Sequence, residues 1–340
     1  MSPLNFLYKL RLWKPKRKGF SLIKLSFLNT PSFFLLAGAI GALLGPSIIL
    51  FGYPFPQGSP SQTFITKPYF LTFLFLVASY TSLLAILFCP LWRSLLFLIR
   101  SYMKYQKLKL ITLEVIVVIL PPTFFFFFAP ALLSKFIPSG VRADPTLDIE
   151  HLSGKILTLV ILGVSTFAPA ALGNILISKI ARLELKIIPI ALPEVFNDIF
   201  MVKKYLYYRE LIQLYLYSSG AIIGLITLIA GALRQVRMEA GFPETRYPHV
   251  LIITLGLYWS AILALYYAIG YLSLLDCGRK LQEAIYPLNS ITSLIEDMEK
   301  RRKIGDILQL STSFDQSFRN GIAIFAPLLS GIISQLLPKP

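Results

Sequence analysis

The chain of 340 residues is 55% hydrophobic and only 15% charged, with a mean hydropathy of +0.67; soluble domains carry roughly a quarter charged residues, so a soluble globular protein is excluded. The two cysteines, Cys89 and Cys277, are too few and too badly placed for a disulfide framework or a thiolate metal site. The net charge of +16 does not call for nucleic acid, because basic residues beside membrane spans serve orientation and attract anionic lipid.

Residues 1–31 contain seven basic residues and no acid, interleaved with Trp13, Phe20, Ile23 and Phe27. This reads as a cytosolic or interfacial segment whose partners are anionic headgroups. No small-residue cleavage site follows a short apolar core here, so a removable signal peptide is not expected. Residues 32–275 read as a membrane bundle with spans at about 32–53, 69–91, 111–137, 156–178, 212–233 and 250–275, since roughly 20 apolar helical residues cross a bilayer.

The first span carries Ala37, Gly41 and Gly45 at four-residue spacing, a stripe that lets a neighbouring helix come close. The second is expected to break near Pro90, and Arg93, Arg100, Lys104, Lys107 and Lys109 follow without an acid. The third, Ile111–Ile137, holds Pro121, Pro122 and Pro130 together with the run Phe124–Phe128. Each proline removes an amide hydrogen, leaving the carbonyls of Val117, Val118 and Phe126 without helical donors. In lipid such groups survive only against protein, polar side chains or water, so these prolines are candidate cavity or helix-break positions.

A polar loop with Asp144, Asp148, Glu150 and His151 leads to the fourth span, which contains the further candidates Pro169 and Asn174. After Pro193 one helix is expected to run from the interface into the fifth span, where Gly220 and Gly224 begin a small-residue stripe. The sixth span continues the theme with Gly256, Ser260, Ala264 and Ala268, and the two stripes are expected to pack against each other. Residues 276–320, with seven acids and seven bases, read as a cytosolic helical segment; residues 321–340, with Pro327, read as a final span or a re-entrant segment. Of the 33 basic residues, 25 fall in the alternate segments 1–31, 92–110, 179–217 and 276–320. The positive-inside rule then places the N-terminus in the cytosol, and the plasma (inner) membrane is the expected location.

Catalytic chemistry is mostly missing. Neither His151 nor His249 lies in a span, and there is no HExxH, Walker A or GxGxxG pattern. Asp148, Glu150 and His151 offer oxygen and nitrogen donors, but three neighbours in a loop are no coordination sphere. No cofactor is expected. Glu114 is the one acid inside an expected span, and Arg93 is its candidate ion-pair partner. The similar segments FAPALLS at 128–134, FAPAALG at 167–173 and FAPLLSG at 325–331 point to broken helices, a transporter device.

The expected fold is therefore all-α, a polytopic membrane bundle of six or seven proline-broken spans with a small cytosolic helical layer. The expected function is non-enzymatic: a homo-oligomeric pore-forming or membrane-anchoring module whose cytosolic helices dock a protein partner. The alternatives are a secondary transporter and, last, a membrane enzyme acting on a lipid-linked substrate.

Overall fold

A computed structural model describes residues 31–50, 68–103, 152–187, 194–239, 244, 248–285, 294–308, 310 and 314–336. Among them are seven helices and no strand: α1 (Pro31–Leu50), α2 (Pro68–Met103), α3 (Leu152–Ile187), α4 (Glu194–Glu239), α5 (Val250–Ile285), α6 (Leu294–Ile307) and α7 (Phe314–Leu336). Five of them, α1 to α5, are long and apolar enough to cross a membrane, which makes the chain a multi-pass membrane protein by length and composition. The basic N-terminal segment, the run Ile111–Ile137 with Glu114, Pro121, Pro122 and Pro130, and the loop residues Asp148, Glu150 and His151 lie outside the described residues.

α4 is the centre of the bundle and touches α2, α3, α5 and α7. Helix directions follow from the side-chain contacts. Trp92 of α2 reaches Ser165 of α3, and Tyr80 reaches Leu159, so α2 and α3 run parallel. Phe167 of α3 meets Trp259 and Tyr266 of α5, while Arg182 meets Ser273, so this pair is parallel too. The C-terminal ends of α2, α3 and α5 therefore gather at one end of the bundle with the N-terminal part of α4 and with α6. Arg93, Arg100, Lys179, Arg182, Lys203, Lys204, Arg279 and Lys280 all belong to those stretches, and we call this the basic end.

At 1.5 Å per residue the 46 residues of α4 extend about 69 Å, more than twice the roughly 30 Å of a bilayer's hydrocarbon. The N-terminal part of α4 lies at the basic end. There Tyr205, Tyr208, Leu211, Leu281 and Leu308 are buried in one continuous cluster with Leu98, Tyr102 and Ile180. At the opposite end Phe70, Phe73, Leu159, Leu233 and Val236 form a second cluster, and Lys155 donates to the C-terminal carbonyl of Ile49 at 3.0 Å.

Among the described residues, four prolines sit inside helices without ending them. Pro46, Pro90, Pro169 and Pro327 each lie inside a continuous helix, so the break expected near Pro90 is absent and α2 runs on to Met103. Burial explains it: Leu91, Leu95, Leu98 and Tyr102, beyond the proline, are at most 2% exposed. Packing on neighbours outweighs one lost helical bond, as membrane helices allow.

Candidate functional site

Two of the candidate helix-break positions, Pro169 and Pro327, meet specific neighbours. Pro169 deprives the carbonyl of Ser165, four residues earlier, of its donor, and the Trp92 indole N–H donates to that carbonyl at 3.1 Å. Pro327 likewise frees the Ala323 carbonyl, which lies directly over Gly220, where no Cβ intervenes. One residue on, the Leu328 N–H donates to Ser260 Oγ at 3.3 Å. Pro327 is itself buried, its carbonyl 2.6 Å from where a Cβ on Gly256 would stand.

These contacts overturn the expected pairing of the fifth and sixth stripes. Gly220, Gly224 and Gly231 of α4 turn to Ala323, Ala326, Ser330 and Ser334 of α7, and Gly256 of α5 turns to Pro327 and Leu328 of the same helix. The two stripes form the walls of a groove, and α7 fills it. Periodicity reports that a helix face is small, but not which helix comes to it. On the first span Gly41 and Gly45 face Thr81 of α2, whose hydroxyl donates to the Gly41 carbonyl at 2.6 Å. Ala264 and Ala268 are half-buried on α5.

Asn174 is the most exposed to question. Its side chain is 4% exposed, next to Gly270 of α5, and its Oδ1 accepts no hydrogen bond among the described residues. A buried carbonyl left in that state costs free energy and calls for a reason. Arg93 lies within electrostatic reach of Tyr207 on α4; its expected partner Glu114 is outside the described residues.

Composition did not flag the polar clasp that holds the start of α7. Tyr217 of α4 donates to Asn320 Oδ1 at 3.0 Å, Asn320 Nδ2 donates to the Tyr267 hydroxyl of α5 at 2.7 Å, and Tyr267 stacks on Tyr271. Asn320 stands where charge gives way to the apolar run, a position at which an amide finding partners across helices was the available signal. A layer further toward the basic end, buried Arg209 donates to the Leu308 carbonyl at 2.8 Å, binding α4 to the end of α6. Gln282 of α5 donates to the Arg301 carbonyl at 2.6 Å. On α6, the Lys303 hydrogen bond to Glu299 at 2.9 Å holds that carboxyl below its ordinary range, although such an exposed pair adds little stability.

A half-open hollow between α3, α4 and α5, lined by Met201, Lys204, Tyr205, Tyr208 and Cys277, has room for little more than a water molecule. No group of three metal-ligating side chains forms among the described residues. Compared with protein families, with characterised proteins and with solved structures, the chain finds no match.

Proposed function

We propose that the chain is a seven-span, non-catalytic membrane module whose basic end faces the cytosol and serves as a rigid platform that anchors a soluble partner at the membrane. The observation that supports this reading is the continuity of α4, one helix of 46 residues that packs near its start with Leu281 and Leu308 and near its end with Phe70 and Phe73. A partner held at the basic end is held by the spans themselves. The span count draws on direction. α2 and α3 run parallel, which supports the sequence reading of a span at 111–137. α7 follows α4 from Gly220 to Gly231 while Ile322, Phe325, Leu329 and Ile333 stay exposed, which fits a helix with one lipid face and a C-terminus opposite to the N-terminus.

A photo-crosslinking residue at Lys203 or Arg302 is expected to capture a discrete protein in native membranes, and one at Leu265 only lipid. Protein reconstituted into liposomes is expected to add no ion or small-solute flux. A second reading, transport through the bundle, is favoured by the unpartnered Asn174 carbonyl. Flux that disappears in Asn174→Leu would replace the anchor with a transporter.

A further inference from the structure

On α5 the residues Leu265, Ile269 and Leu272 are exposed and share one face, a lipid-facing strip at helical spacing. Continued toward the basic end, the strip runs into Asp276 and Arg279, both exposed, as is Lys280. The neighbouring helix brings Lys179 and Arg182 to the same place. Arg182 Nε donates to Ser273 Oγ at 3.0 Å, and Ser273, only 4% exposed, donates to the Ser178 carbonyl at 3.1 Å. This relay fixes the guanidinium at the mouth between α3 and α5 with its remaining donors outward. Lys179 lies within electrostatic reach of Arg182. Asp276 is bonded to Lys280 at 2.8 Å and feels the charges of Arg182 and Arg279. Three cations thus act on one carboxylate, with Lys179 beside Arg182, where two helices leave the apolar run. Like charges gathered at close quarters repel one another, and a bound anion relieves that cost.

We propose that Lys179, Arg182 and Arg279 hold the phosphate of an anionic phospholipid whose acyl chain lies along Leu272, Ile269 and Leu265. The strip selects the source of the anion: free phosphate has nothing to place on it, whereas a lipid satisfies both halves. Arg182 supplies directional N–H donors, which suit phosphate oxygens, and Lys179 and Arg279 add charge at the headgroup level. Asp276 opposes the anion and keeps binding reversible. The site goes beyond the anchoring reading and does not depend on it.

The test uses the full-length protein in detergent micelles doped with phosphatidylglycerol or phosphatidylcholine, read by native mass spectrometry and by the midpoint of thermal unfolding. Phosphatidylglycerol is expected to stay bound and to raise the midpoint where phosphatidylcholine does neither. In Arg182→Gln with Arg279→Gln its apparent affinity is expected to fall roughly thirty-fold, from the strength of two basic side chains near a headgroup. Unchanged affinity in that variant overturns the site. Asp276→Asn supplies a second measurement that does not rely on the double variant folding: affinity is expected to rise, and no rise overturns the site. Inorganic phosphate alone is expected to leave the midpoint where it is, and an equal shift from it overturns the assignment to lipid.

Discussion

The two halves of α4 are packed by different means. From Met201 to Leu216 the buried face is made of large side chains, Tyr205, Tyr208, Leu211, Ile212 and Tyr215, gathered with Leu281 and Leu308. From Ser218 to Gly231 Ile222, Ile223 and Ile229 are still buried, but the face toward α7 is made of Gly220, Gly224 and Gly231, and α7 answers with Ala323, Ala326, Ser330 and Ser334. One helix, two solutions. The physical reason is the neighbour. Where α6 and the C-terminal ends of α2, α3 and α5 surround the helix, large side chains fill the space between them. Where one helix, α7, lies against it, small residues allow close backbone approach and interhelical hydrogen bonds. The lesson is that side-chain size along a single helix follows how near its neighbour comes.

The largest effect should come from filling the small-residue half. Gly220→Leu would drive a side chain into the Ala323 backbone, and a loss of at least about 3 kcal/mol is expected, at the upper end of overpacking costs. The measurement is unfolding by a denaturing detergent, with limited proteolysis reporting release of α7. If α7 stays protected and stability is unchanged, the groove is wrongly drawn.

Next comes the large-residue half. Leu308, fully buried between α4 and α6, should lose about 2–3 kcal/mol on change to alanine, and the loss should loosen α6 without touching α7. Hydrogen exchange separates the two halves: protection lost at α6 and α7 alike would dissolve the distinction.

A smaller effect tests a proline inside a helix. Trp92→Phe removes the donor on the Ser165 carbonyl and should cost about 1–2 kcal/mol, the usual penalty for a buried acceptor left bare. Pro169→Ala restores an amide hydrogen to that carbonyl, so it should recover most of the loss in the Trp92→Phe background and little in the native one. Equal effects in both backgrounds, in a cycle of unfolding midpoints, would mean that the indole does not stand in for the missing helical bond.

Much of this protein can be read from residues alone, and the reasons are local. Apolar length fixes which stretches can lie in a bilayer, and among the described residues α1 to α5 are long and apolar enough to cross one. The helix after Pro193 that enters the fifth span is likewise a matter of composition, since no proline interrupts Glu194–Glu239. The small-residue stripes were visible because periodicity is a property of one helix.

What only the tertiary structure decided is who meets whom. Pro90 and Pro169 could not be judged from sequence, because whether a proline ends a helix depends on a donor such as Trp92, which lies 73 residues from the carbonyl it caps. Gly220 and Gly256 were seen as small but assigned to each other, whereas α7 occupies the space between. The clasp of Tyr217, Asn320 and Tyr267 joins three helices through groups that are ordinary one by one. Local chemistry decides what each helix can present to its surroundings, but in a bilayer the energy lies in contacts between helices, and those are fixed only when the whole bundle closes.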